Sequence, residues 1–526
     1  MATKYVGDRQ PKRGRSRFRG KIVGIILLGL ASAVALGFGA VYYALVKKAD
    51  ATLAEAVDEA DRLDPGWRME EIEAARSRDV IPAEEDAGPR VIRIVDKMPL
   101  PAPSVIQSQM RPGISPLIQI DGALKNYPPF MVLGSDMHAA IAEEVRKHAE
   151  ALKEARLLTE LTRGRFPLTI AKIPFDTLLR NTQNSRSVAV LLRLDAILRT
   201  EKQDIDAALH EIRAMIGVSH SIGDEPFAIS QLVRIAEDFV ALETLDRVLA
   251  QGTGTDDALA KVQKRLQDET KIPFNLIAMR GERAVAYDLF GKLADGTVPL
   301  NALSGSVSDD VKFPGSLTPH ARALYRFNQG LSLRMMNKAV EISKLPVAEQ
   351  VEKWKSWEAE IKPPADTWGK MTQSLTFALI PALGAAATAH FRLNAMLGCA
   401  EVMVAMERFR IANGHWPETL DQIPKSILPE IPLDPYSGSP IKVKRDENSW
   451  IVYSVGPNGT DDGGTLDDRF DPKTEDSDWG YTLHDPSARR QPAFYEEQLP
   501  SQPFLGEPLL DGFTLTNPDM LMDMIR

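Results

Sequence analysis

Ile22 to Val46 holds no charged residue, and that one run constrains the chain more than any other stretch. A helix rises about 1.5 Å per residue, so the run is long enough to cross a hydrocarbon layer roughly 30 Å thick. Lys4, Arg9, Lys12, Arg13, Arg15, Arg17, Arg19 and Lys21 precede it against one acid, Asp8. Basic flanks stay in the cytoplasm. This reading makes residues 1–21 a basic cytoplasmic arm and residues 22–46 a transmembrane helix in the lipid bilayer. The bulk of the chain is then extracytoplasmic, and the expected location is the cell inner membrane, crossed once. Ala31, Ser32 and Ala33 also suit a signal peptidase. However, the run continues through Leu36, Phe38, Val41, Tyr42, Tyr43 and Leu45 before Lys47 and Lys48 stop it, beyond the ~7–15 residues of a cleavable apolar region. Tyr42 and Tyr43 fit the far interface, where amphipathic rings collect.

With 526 residues, 44% of them hydrophobic, the chain can bury more than one core. The formal net charge is -9 although the N-terminal arm is positive, so the exported part is more acidic still. That balance argues against a nucleic-acid partner. Cys399 is the one cysteine, which excludes an intramolecular disulfide.

Residues 47–134 read as a stalk and Pro-rich connector. Leu53, Ala56, Val57 and Ala60 recur at helical spacing, and Asp64-Pro65-Gly66 breaks that helix at a corner expected to bury Trp67. Prolines accumulate from Pro82 to Phe130, predicting an extended connector with a few short helices. Residues 135–371 read as an α-helical domain, an irregular bundle or short solenoid. Amphipathic helices are predicted over residues 135–161, 185–199, 203–218, 227–251, 255–269, 276–289, 320–343 and 347–361. Breaks fall at Gly164, Pro174, Gly223, Gly252 and Pro273. Trp354 and Trp357 share the last of these helices, where core packing is the default.

Residues 372–486 form the last module, a small α+β unit. A long apolar helix, started or kinked by Pro381, runs to Asn413, with Leu393, Met396, Leu397, Ala400 and Val404 on one side. Asn394, Glu401 and Arg408 recur at seven as a polar stripe. Asn413-Gly414 supplies a left-handed C-terminus, and Pro417 forbids continuation. Ile441 and Val443 alternate with Lys442 and Lys444, a turn follows at Asp446 to Asn448, and a second strand covers 450–455, giving an antiparallel hairpin. The order of these pieces, with Leu428-Pro429-Glu430-Ile431-Pro432, Asp434-Pro435-Tyr436-Ser437-Gly438 and Tyr453-Ser454-Val455-Gly456-Pro457-Asn458-Gly459, resembles the C-terminal domain of the type II secretion system major pseudopilin. The overall expectation is a mainly α protein, and residues 487–526 read as an extended tail.

An acidic loop follows the hairpin: Asp461, Asp462, Asp467, Asp468, Asp471, Glu475, Asp476 and Asp478, against Arg469 and Lys473. Hard cations such as Ca²⁺ take six to eight oxygens on flexible glycine-containing loops. The resemblance implies a structural calcium here, with Asn458, Asp461, Asp462, Asp467 and Asp468 as the candidate ligands. Two departures stand out. Asn458 replaces the family's aspartate, and over about three hundred residues separate the apolar run from the long helix that it joins directly in a pseudopilin.

Catalytic signatures are absent. His138, Glu143, Glu144 and His148 lack the spacing that puts two imidazoles on one zinc, and no nucleophile elbow or phosphate-cradling loop occurs. The expectation is a non-enzymatic membrane-anchored scaffold or interaction protein with a protein partner in the envelope. The alternatives are an accessory component of a type II secretion or pilus-like machine, and an envelope enzyme with a site in the helical domain.

Overall fold

The computed structural model describes residues 14–98, 115–125, 127–172, 177, 179–299, 319–362, 364–366, 369–370, 373, 375–377, 381–466 and 477–492. The chain is mainly helical, with one small antiparallel sheet. Its first helix, α1 (Gly14–Leu63), runs unbroken through the predicted span. Among the described residues no helix is long and apolar enough to cross a membrane. Within the predicted span, the side chains of residues 22–27, 31, 34, 35 and 38 lie outside the described ones.

The far end of α1 is part of the body. Ala49, Ala56 and Ala60 are buried against α12 (Pro319–Ser343), where a small-residue face lets two backbones approach. Gly330 of α12 is the contact point, since a Cβ there would sit 2.7 Å from the Leu53 amide nitrogen. Arg326–Asp50 at 3.1 Å and Arg334–Glu55 at 2.6 Å flank it, and Asn337 donates to the Ala56 carbonyl at 3.1 Å. Gly330→Leu is therefore expected to lower stability by about 1–3 kcal/mol through overpacking. Faster hydrogen exchange over residues 49–63 checks it.

After the Asp64–Gly66 corner, Trp67 is fully buried and donates its indole N–H to Asp61 at 2.8 Å. Tyr287 meets the ring edge-on at 4.8 Å, and the Arg283 guanidinium lies over it at 5.3 Å. Short helices follow: α2 (Met69–Arg78), α3 (Ala87–Asp96), α4 (Pro116–Leu124), α5 (Ser135–Lys147) and α6 (Ala149–Ala155). The predicted 135–161 helix breaks at His148, whose φ of -104° and ψ of 20° leave the helical region, and ends in a 3₁₀ turn. Then come α7 (Arg180–Glu201), α8 (Ile205–Ser219), α9 (Ala228–Gln251), α10 (Asp256–Glu269), α11 (Phe274–Asp295) and, beyond α12, α13 (Val347–Glu360). Trp354 and Trp357 are both buried, with ring centroids 4.8 Å apart.

The long helix α14 is described over Pro381–Asn413, and residues 378–380 before it lie outside the described ones. One hydrophobic core runs from Ala87 through α7, α8 and α9 to Val452 and Leu483, so it continues across the boundary placed at 371/372. From Leu393 to Met406 most of α14 is buried on every side. Two members of its seven-residue polar stripe form a seam with α10, Gln267 donating to Glu401 at 2.7 Å and Arg408 reaching Asp256 at 2.7 Å and Gln263 at 2.9 Å, while Asn394 bonds back to the His390 carbonyl at 3.0 Å. Polar groups repeating every seven residues stay on one helix face, and here that face meets another helix.

The hairpin is β1 (Lys442–Asp446) and β2 (Ser449–Ser454), with Lys442 opposite Tyr453 and Val443 opposite Val452. A third strand, β3 (Trp479–His484), extends it, pairing Ile451 with Thr482 in the order β1-β2-β3. Ile441, Trp450, Val452, Tyr481 and Leu483 bury one face against α14 and α9. The chain returning from β3 then binds the body through Arg489.

Candidate functional site

The acidic loop sits where β2 ends, turning on Gly456, Gly459, Gly463 and Gly464, all at positive φ. Of the five candidate ligands, Asn458, Asp461 and Asp462 lie in this turn, while Asp467 and Asp468 fall outside the described residues. The Asn458 side-chain Oδ1 accepts the Thr460 amide at 2.9 Å, and its Nδ2 donates to Asp462 Oδ2 at 3.0 Å. Asp461 accepts from the Lys442 ammonium at 2.6 Å, the Tyr453 hydroxyl at 3.2 Å and the Gly463 amide at 3.0 Å. Lys442 above all, and then the Gly463 amide, hold the Asp461 carboxyl below its ordinary range. Burial, with Asp461 beside it, pushes the Tyr453 phenol up to about 12.

The pivot of the loop is Asp478, which is fully buried and was not among the candidate ligands. It accepts the Gly464 amide at 2.6 Å and the Asp462 amide at 3.3 Å, tying both ends of the loop together. Burial, with Asp461 and Asp462 nearby, raises its carboxyl above the ordinary value. A second buried aspartate, Asp434, anchors the neighbouring turn, accepting from Ser454 at 2.7 Å, Ser437 at 2.9 Å and the Val455 amide at 3.1 Å.

Oxygens of the described candidate ligands are already engaged within the protein. Each of Asn458, Asp461, Asp462 and Asp478 already has an oxygen accepting an internal hydrogen bond, and one partner is itself a cation. Among the described residues, no group of three or more His, Cys, Asp or Glu side chains is arranged to hold a metal ion.

The helical body carries a buried polar cluster that helical periodicity did not reveal. His220, at the end of α8, contacts the Leu161 carbonyl through Nδ1 at 3.2 Å and Glu269 of α10 through Nε2. A carbonyl only accepts, so Nδ1 is the donor in the Leu161 contact. Asp238 of α9 stands beside Ser219 and Glu269, and burial first, then Glu269, pushes its carboxyl well up. Glu237 accepts from Ser185 at 2.6 Å, and burial pushes it up to about 8. Such groups act as catalysts only where a substrate reaches them. A small cleft of about 50 Å³ is lined by Val91, Val95, Phe166, Asn181 and Asn184, none of them a member of this cluster.

The other candidate groups read as packing. His148 is buried, its Nδ1 2.9 Å from the Glu144 carbonyl, and Cys399 is buried beside the Trp479 carbonyl at 3.7 Å with its thiol pushed well up by burial. No protein-family model, curated protein or solved structure matches this chain.

Proposed function

We propose that the chain is a membrane-anchored extracytoplasmic scaffold or interaction protein, held in the inner membrane by residues 22–46 and carrying a pseudopilin-like module at its C-terminal end. One observation carries this reading. Leu28, Leu30, Leu36, Val41 and Tyr43 of α1 are 56–75% exposed, whereas Ala49, Ala56 and Ala60 of the same helix are buried. An apolar stretch that the protein itself leaves uncovered needs another apolar phase, and a bilayer supplies one. The change from uncovered to covered falls beside Lys47 and Lys48, cations suited to an interface. The α-helical body and the sheet then face a protein partner on the far side.

The test is protease accessibility in a bacterial host. Added to intact spheroplasts, protease should degrade the body and leave a short N-terminal fragment protected. A body that resists until the membrane is lysed defeats the proposal. The accessory-component reading is supported by the same resemblance and differs in its partner: crosslinking in membranes would join the body to secretion-machine subunits.

A further inference from the structure

The geometry points to an acidic loop latched by two lysine ammonium groups of β1, in the place where the pseudopilin resemblance implies a calcium ion. Lys442 and Lys444 lie on the same face of the strand, two residues apart, and both reach across to the loop. Lys442 Nζ donates to Asp461 Oδ2 at 2.6 Å, and Lys444 Nζ donates to the Gly463 carbonyl at 2.6 Å. A carboxylate and a backbone carbonyl two residues later are oxygens of the kind a calcium loop offers. Here each is taken by a fixed positive charge supplied by the protein.

The described part of the loop is closed by hydrogen bonds of its own. The two Asp478 oxygens take the Asp462 and Gly464 amides, the Thr465 hydroxyl donates to the Asp462 carbonyl at 2.8 Å, and Tyr453, opposite Lys442 in the ladder, donates to the second Asp461 oxygen. Lys444 further packs along the loop, its Cδ 3.3 Å from where a Cβ on Gly464 would lie. Calcium at Asp461 would place a second cation beside the ammonium group already in contact with it, and like charges that close repel. Asn458, neutral where the family has an aspartate, removes one of the charges that would favour such an exchange.

The test uses the full chain and hydrogen exchange over a peptide covering residues 456–466, with calcium or a chelator present. The wild type should exchange identically in both. Lys442→Met and Lys444→Met should each speed exchange of that peptide several-fold while peptides from α9 stay unchanged, and Lys442→Arg should keep the protection. Calcium that protects only the Met variants also supports the latch, since removing the ammonium frees its oxygen. Slower exchange of the wild type in calcium overturns the inference, as does unchanged exchange after both lysines are removed. Neither result bears on the membrane anchor, whose test is topological.

Discussion

Arg489→Met should lower the stability of the fold by about 3 kcal/mol, at the lower end of what breaking a buried ion pair costs. Arg489 lies just beyond β3, is nearly inaccessible, and grips Glu407 of α14 with both terminal nitrogens, at 3.0 and 2.9 Å. The same guanidinium donates to the Gly252 carbonyl at 2.5 Å, to Thr253 Oγ1 at 3.0 Å and, through Nε, to the His484 carbonyl at 3.0 Å. One side chain thus joins the end of α9, the long helix and the sheet. Burial opposes the charge on Glu407, yet Arg410 and Arg489 outweigh it and hold the carboxyl below its ordinary value. Arg410 remains after the substitution, at 2.8 and 3.0 Å, which keeps the loss from being larger.

The sign with pH follows from that depressed carboxyl. Its contribution is fully present above the carboxylate range of an unfolded chain and is lost as pH falls through the folded value. Arg489→Met should therefore unfold at lower denaturant at neutral pH, and its deficit should shrink in acid. Glu407→Gln should cost a similar amount, and the double variant less than the two losses added, because the partners share one interaction. A cost below about 1 kcal/mol for Arg489→Met would mean that the pair contributes no more than a surface salt bridge.

Periodicity made the helices legible. The predicted 203–218, 227–251 and 255–269 match Ile205–Ser219, Ala228–Gln251 and Asp256–Glu269, because apolar residues at helical spacing meet clear stops at Gly223, Gly252 and Pro273. What could not be read was which partner each face would take. The Asn394, Glu401 and Arg408 stripe was visible as polar, but only the fold shows that α10 meets Glu401 with Gln267 and Arg408 with Gln263. β3 escaped because its alternation is short, with Tyr481 and Leu483 inward, and follows a run of acids. Arg489 and Glu407 are 82 residues apart, and the His220–Glu269 contact spans 49. Pairings at such separations leave no local spacing to recognise. In the loop, composition marked an acidic stretch but not the role of Asp478, since a carboxylate that accepts backbone amides has the same letter as one that binds an ion.

Glu237→Gln should make the protein more stable at neutral pH, by on the order of 2–3 kcal/mol, with little change near pH 4.5. Glu237 is fully buried in α9, with the Ser185 hydroxyl as a hydrogen-bond donor. Burial pushes its carboxyl from 4.5 up to about 8, and Ser185, Arg186 and Arg234 only partly offset this. In the unfolded chain the same group ionises near the ordinary glutamate value. The stability it permits is therefore fully present below that value and is lost as pH rises toward about 8, by ~1.4 kcal/mol per pH unit while the folded protein alone keeps the proton. Glutamine copies the shape of the neutral acid, can accept the same Ser185 hydrogen bond, and has no proton to lose in either state. Denaturant titrations at pH 5, 6, 7 and 8 distinguish the two chains. The wild type should weaken steadily through this range, because Asp238 and Glu225 are raised by burial as well and act with the same sign. The variant should lose less per pH unit, by one proton's worth. Equal slopes would mean that Glu237 is ionised in the folded state, with its charge met by Arg186 and Arg234.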